Sequence, residues 1–398
     1  MASLCEAENI GKVVLTLHCF CRIVQNNRVN KRVQLQQILT IMKNAWKLDH
    51  YLYGITQGYM AKRDFLMSEA GRTSTLEISQ TGVKLVTLVV NQFVDNVRGM
   101  NIFPDNVHTV SDEDLIRHID FLHELGYEVM LKPMVDPLDG QDRAFIHNRP
   151  PVNVVRGYGT SPDPVTPWFD SYKHFMRRYA AIAEKTNVEI FCVGCEFLLQ
   201  EDTAAEWLKV LDCVRELYSG IVTYNMQINV EEFTPWRKPW FSQLDLLGIS
   251  GYFKLDLHGQ KPTLDNMVEL WEGWATKIKA FAQFIGRPVF FAETGTRPME
   301  NASLVTGDCS MQGTRYCEEE QSNYYEAMQI VFEKYPWFYG TVWWKHDEHQ
   351  DRASYHLPDG HYIGMTPTPM LKNVMKSRAL HTIARPEIRP GELKPVEW

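Results

Sequence analysis

The run Pro288-Val289-Phe290-Phe291-Ala292-Glu293-Thr294-Gly295 constrains this chain most: an apolar stretch of strand length ends in a carboxylate and breaks at glycine. Unbroken apolar runs of this length suit a parallel strand buried on both faces. In α/β enzymes the carboxyl ends of such strands are where chemistry is placed. A second run, Val188-Glu189-Ile190-Phe191-Cys192-Val193-Gly194-Cys195-Glu196-Phe197, repeats the design with Glu196 near its end. Two strand-terminal glutamates, about a hundred residues apart, suit retaining hydrolysis of a glycosidic bond if the fold brings them together.

The pattern around these runs is regular. Strand signals fall over 51–60, 83–93, 127–135, 188–197, 221–228, 244–253, 288–295 and 338–345. Between them lie helix signals over 68–80, 111–126, 168–186, 204–218, 264–285 and 318–335, and a last helix over 370–380. Ser111-Asp112-Glu113-Asp114 is an N-cap followed by first-turn acids, and Gly126 stops the helix it starts. Strands alternating with helices, without a shift in composition, predict a (β/α)8 barrel as one catalytic domain over 51–381. Residues 1–50 read as an N-terminal extension with one amphipathic helix and no catalytic motif, and 382–398 as a proline-studded C-terminal tail. An open doubly wound sheet is the alternative, but residues 54–63 carry no GxGxxG, and neither a GxSxG elbow nor a phosphate loop occurs.

Composition narrows the class. Hydrophobic residues at 44% and charged ones at 23% are enough for a large core. A net charge of −8, with no long basic run, excludes nucleic acid as the natural partner. The apolar stretch Val13–Phe20 is too short to span a membrane and follows Glu6 and Glu8 rather than a basic segment. The expectation is therefore a cytoplasmic protein, with no membrane association and no metal or cofactor. Eight cysteines include no paired CxxC sets of a zinc site; Cys192 and Cys195 read as small strand hydrophobes, and Cys309 and Cys317 share a loop where an exported chain could bridge them.

On a barrel, the ends of the fourth and seventh strands lie at one face. Retaining hydrolysis needs two carboxyls about 5 Å apart, one to attack the anomeric carbon and one to protonate the departing oxygen and later activate water. Glu293 suits the first role and Glu196 the second; taken singly, either could be a strand-end acid paired with a basic residue. Lys132, on the third strand, suits contact with sugar hydroxyls or with a carboxylate, or a simple pairing with Asp136. The dense polar segment Lys345-His346-Asp347-Glu348-His349-Gln350-Asp351 lacks HExxH spacing and reads as a loop at the cleft rim rather than a metal site. Trp271 and Trp274, at helical spacing, read as packing of helix on barrel. Trp236 and Trp240 read either as an outer sugar platform or as loop anchors.

The pair Gly194-Cys195-Glu196 and Phe291-Ala292-Glu293, with Tyr252 ending the sixth strand and Trp343-Trp344 on the eighth, resembles clan A of the glycoside hydrolases. Val129-Met130-Leu131-Lys132-Pro133-Met134-Val135-Asp136, Trp168-Phe169-Asp170-Ser171-Tyr172 and Tyr179-Ala180-Ala181-Ile182-Ala183 are similar to segments of glycoside hydrolase family 113, known for β-mannanases. The resemblance spans about residues 51–370. It implies retaining attack on β-1,4-linked mannose in mannan or manno-oligosaccharides, with Glu196 as acid/base and Glu293 as nucleophile. It also implies that Tyr252 holds the nucleophile and that Trp343 or Trp344 floors the sugar site; alternation lets only one of the two face inward, and the sequence does not choose. Cys195 stands where many clan members have the asparagine that binds the sugar 2-hydroxyl, so that contact must come from elsewhere, with Asn91 and Asn225 as candidates. Met134 also stands where the family has a more polar residue. The rivals are exo-acting mannosidase, transglycosylation, another β-linked glycan, metal-dependent hydrolysis at the strand-eight loop, and a non-catalytic carbohydrate-binding barrel.

Overall fold

Segments rich in β-branched and aromatic residues form eight parallel strands that close on themselves in chain order. They are β1 (Leu52–Gln57), β2 (Leu85–Val94), β3 (Glu128–Pro137), β4 (Ile190–Cys195), β5 (Ile221–Gln227), β6 (Leu246–Ser250), β7 (Val289–Thr294) and β8 (Phe338–Trp343). β8 returns to β1, with Tyr53 opposite Thr341 and Gly54 opposite Val342, so the barrel has no edge. The computed structural model describes residues 47–147, 166–227, 239–307 and 315–394, together with 396 and 398. The chain divides into two units, Met1–Trp46 and Lys47–Trp398, and the barrel belongs to the second. The amphipathic helix expected within residues 1–50 falls almost wholly outside the described residues, and Trp236 and Cys309 lie outside them.

The helices fall where their caps place them. They are α1 (Glu69–Ile78), α2 (Asp112–Glu124), α3 (Thr166–Lys185), α4 (Ala204–Arg215), α5 (Leu264–Ile285), α6 (Glu318–Phe332) and α7 (Pro369–Ala379). The Ser68, Ser111 and Thr368 side chains accept hydrogen bonds from backbone N–H groups three residues on, satisfying donors that the first turn leaves free. Among the described residues, the β5–β6 connection holds only the 3-10 turn Pro239–Gln243. The outer core joins strand to helix through large rings. Phe291 on β7 lies 5.0 Å from Phe332 of α6 and 5.9 Å from Trp271 of α5, centroid to centroid. Burying each such ring contributes about 1.5–3 kcal/mol. Trp271 is wholly buried, as a packing residue should be, and Trp274 packs on Phe253. No described helix is long and apolar enough to cross a membrane.

The expected tail is partly ordered into a strand. Ala384–Ile388 pairs antiparallel with Leu48–His50. Proline suggested irregular chain here, yet Pro386 sits in a two-stranded ribbon, where a missing N–H is tolerated. The ribbon is tied to the barrel: Arg385 Nε donates to Phe338 O at 2.7 Å, and Tyr339 OH donates to Pro386 O at 2.5 Å.

Candidate active site

Both glutamates depend on an irregularity in their strands. On β7, Ile249 faces Phe291 but the next residue, Ser250, faces Glu293, so β7 carries one residue more than β6. The same excess appears against β8, between the pairs Phe291–Thr341 and Thr294–Trp343. Phe291 points outward to the helices, and strict alternation would send Glu293 the same way. The extra residue turns it into the cleft instead, which is what a bulge does to the side chain after it. β4 repeats the device: Cys192 faces Thr223 and Cys195 faces Asn225, three residues against two. Gly194 makes this feasible, because a Cβ there would lie 2.7 Å from a Tyr224 ring carbon and 3.0 Å from the Trp207 ring. Glu196 follows with a left-handed φ of 59°, its N–H bonded to Asn225 O at 2.8 Å. That conformation is uncommon for a residue with a side chain, and such residues cluster at functional sites.

Glu293 is held by charge and by hydroxyl. Its Oε1 pairs with Lys132 Nζ, and its Oε2 accepts from Tyr252 OH at 3.1 Å. The Cys195 thiol lies 3.5 Å from Oε1; burial keeps that thiol protonated, so it faces the carboxylate as a weak donor. Lys132 is wholly buried. Burial opposes its charge, but the Glu293 carboxylate, by charge and by hydrogen bond, helps hold its pKa above the ordinary lysine value.

Glu196 has a different environment. Ser250 Oγ donates to its Oε1 at 2.5 Å and Arg143 Nη1 to its Oε2 at 3.0 Å. Ser250 is oriented in turn by Asn225 Nδ2 at 2.8 Å. Burial and then the negative charge of Glu293 push the Glu196 pKa above the usual glutamate value, against the opposing pull of Arg143, the Ser250 hydrogen bond and Lys132.

The two carboxylates open onto one cleft of about 250 Å³, lined also by Tyr59, Arg143, Tyr252, Arg297 and Trp344. Trp344 is the inward-facing tryptophan, its ring 5.0 Å from that of Tyr59. Trp343 faces away: it is buried, packs edge-on against Tyr325 of α6, and donates from Nε1 to Met365 O at 2.7 Å. Lys132, Asn91 and Asn225 do not line the cleft either. Lys132 lies beneath Glu293, and its partner is that glutamate rather than Asp136. Asn91 spends its amide on Asp136, at 2.7 Å, and on Met60 N, at 2.9 Å. Asn225 supports Ser250. Trp240 is a loop anchor, stacked 4.8 Å from Trp207 and donating to Glu201 O. Met134 and Cys195, the two departures from the family pattern, pack together with Val89 as a small apolar patch under Tyr59 and Trp344.

Tyr59, Arg143, Ser250 and Arg297 are site residues that no motif in the sequence singles out. Tyr59 follows β1 in a loop made by two left-handed residues, Gly58 (φ 93°) and Met60 (φ 58°). Gly58 is required there, since a Cβ would lie 2.7 Å from Val89 O. The strand-eight loop braces the same turn. Glu348 accepts from Gly58 N, Lys345 pairs with Asp347 at 2.7 Å, and Asp347 accepts from Tyr362 OH and from Met365 N. These acids are thus engaged with protein donors. A signal existed for Tyr59, an aromatic beside glycine just past a strand; none marked Arg143.

The comparisons agree with the resemblance. A sequence profile of glycoside hydrolase family 113 matches residues 55–363. A solved β-1,4-mannanase of that family is 25% identical with a TM-score of 0.69, the match covering 83% of this chain and 99% of that one. The family's β-mannanase AaManA from Alicyclobacillus acidocaldarius, solved in complex with ManMIm, is also 25% identical, with a TM-score of 0.68 and coverage of 83% and 98%. The β-glucuronidase from Ruminococcus gnavus is 15% identical with a TM-score of 0.52 over 83% of this chain and 50% of its own, a likeness of fold alone. No curated protein sequence matches.

Proposed function

Because the chain belongs to glycoside hydrolase family 113, we propose that it cleaves β-1,4-mannosidic linkages in mannan or manno-oligosaccharides, from within the chain, by double displacement. The observation that carries this reading is the asymmetry of two glutamates on one cleft. Glu293, salt-bridged to a buried ammonium and bonded to Tyr252, suits the nucleophile. Glu196, whose pKa burial and the nearby Glu293 raise, suits the group that first gives and later takes a proton. Glu293 attacks the anomeric carbon as Glu196 protonates the departing oxygen; water, deprotonated by Glu196, then releases the sugar and restores both groups. The solved mannanases of the same family support mannose as the sugar, and Trp344 offers the ring on which it would sit.

The test is hydrolysis of β-1,4-linked manno-, gluco- and xylo-oligosaccharides by the wild type and the Glu196→Ala and Glu293→Ala variants, with products sized. Cleavage of mannohexaose into internal fragments, lost in both variants, is the expected result. Release of single mannose units from one end would replace the endo reading with an exo one. Incubation with a 2-fluoro mannosyl fluoride should add one fluorosugar to the peptide holding Glu293; wild-type turnover by Glu293→Ala would remove the mechanism's foundation. The alkaline limb of the pH profile should lie above the ordinary glutamate range, since the Glu196 proton must remain in place for the first step.

A further inference from the structure

Arg143 reaches Glu196 from a 3-10 turn, Arg143–Phe145, beyond the end of β3. The turn is fastened at three points: Ala144 N donates to Asp142 Oδ1 at 2.8 Å, Leu199 N to Ala144 O at 3.2 Å, and His147 N to Val97 O at 2.8 Å. The guanidinium is shared. Nε and Nη2 donate to Asp136 Oδ1 at 2.9 and 2.6 Å, Nη2 also donates to Tyr59 OH at 2.9 Å, and Nη1 is left for Glu196. Asp136 is fixed in turn by Asn91 on β2. A guanidinium facing one carboxylate alone favours its ionised form, which a proton donor cannot afford. One already engaged by an aspartate supplies direction with less net charge.

We propose that Asp136 and Arg143 act together as a positioning pair for the acid/base: Arg143 orients Glu196, and Asp136 offsets the guanidinium charge so that Glu196 keeps its proton until the leaving oxygen needs it. This rests on Glu196 being the acid/base. Among the described residues, the titratable groups around Glu196 and its cleft are Glu293 from β7, Lys132 and Asp136 from β3, Cys195 from β4, Arg143 and Asp142 from the turn, Tyr59 from the loop after β1, Tyr252 after β6 and Arg297 after β7. Among the described residues, Asp136 and Arg143 form a pair that can be altered at either end while the Lys132–Glu293 contact stays whole.

The experiment measures kcat and KM against pH for the full chain on aryl β-1,4-manno-oligosides with good and poor leaving groups. Asp136→Asn should move the alkaline limb about one pH unit lower, because an uncompensated guanidinium favours the Glu196 anion. Arg143→Met should move it higher and reduce kcat, with KM little changed, more on the poor leaving group than on the good one. Arg143→Lys keeps the charge without the fork, so its limb should not rise although kcat falls. If Asp136→Asn does not fold, the two Arg143 variants carry the test. Limbs that stay at the wild-type position in Asp136→Asn and Arg143→Met, or that move in the same direction in those two variants, overturn the proposal. Glu196→Ala, measured alongside, reports on the parent reading. Full activity on the poor leaving group refutes the acid/base assignment. Loss there, with azide restoring turnover on the good leaving group, upholds it, and unmoved limbs in the other variants then refute the positioning pair alone.

Discussion

On the β7 wall of the cleft, Glu293 takes a whole counter-charge from Lys132, a residue with no exposed surface, and a hydroxyl from Tyr252. On the β4 wall, Glu196 takes a hydroxyl from Ser250 and part of a guanidinium that Asp136 already holds. Lys132 sits within a strand of the closed barrel, whereas Arg143 sits on a turn between strand and helix. Barrel geometry thus supplies the undivided charge, and a connecting segment supplies the shared one. The division fits the proposed chemistry, in which one carboxylate stays charged until it bonds to sugar and the other exchanges a proton in each half of the cycle.

Lys132→Met should have the largest effect. Removing one partner of a buried ion pair costs about 3–5 kcal/mol, so the variant should unfold at markedly lower denaturant and lose roughly 10³-fold or more in kcat/KM. Lys132→Met combined with Glu293→Gln should recover most of the stability and none of the activity, as chemical denaturation and turnover will report. Wild-type stability in the single variant would mean that Glu293 does not need its lysine. Tyr252→Phe comes next. A hydrogen bond to a charged group contributes about 1.5–3 kcal/mol, so kcat/KM should fall roughly 10- to 100-fold with little change in melting temperature. Ser250→Ala should be mildest, about fivefold, and should weigh more on substrates with poor leaving groups, because it supports the proton donor. A Ser250→Ala loss exceeding that of Tyr252→Phe would invert the comparison.

Much of this was legible in the sequence. Capping serines, apolar strand runs and the position of Gly126 were enough to place strands and helices within a few residues of where they lie. The strands ending in Glu196 and Glu293 stood out because a carboxylate closing an apolar run is chemically conspicuous. The binding residues were less readable. Strand position makes Asn91 and Asn225 candidates for the 2-hydroxyl contact, but their amide N–H groups go to Asp136 and to Ser250, while Lys132 meets the carboxylate its strand offered as one of three partners. Trp343 and Trp344 were indistinguishable, since either parity suits an apolar run, and only their packing separates Trp343, against α6, from Trp344, in the cleft.

What the sequence alone determined is the barrel and the two strand ends, because both follow from the local succession of apolar, polar and turn residues. The direction in which the two glutamates point is another matter. Strict alternation from Phe291 carries Glu293 to the outer face, and the extra residues on β4 and β7 become visible only when each strand is laid beside its neighbours. A bulge is a property of register between strands, and register is decided by pairing across the sheet rather than within a segment. The same holds for Arg143, separated from Glu196 by 53 positions. Its role depends on how a turn folds back over the cleft, and nothing in the residues beside it records that contact.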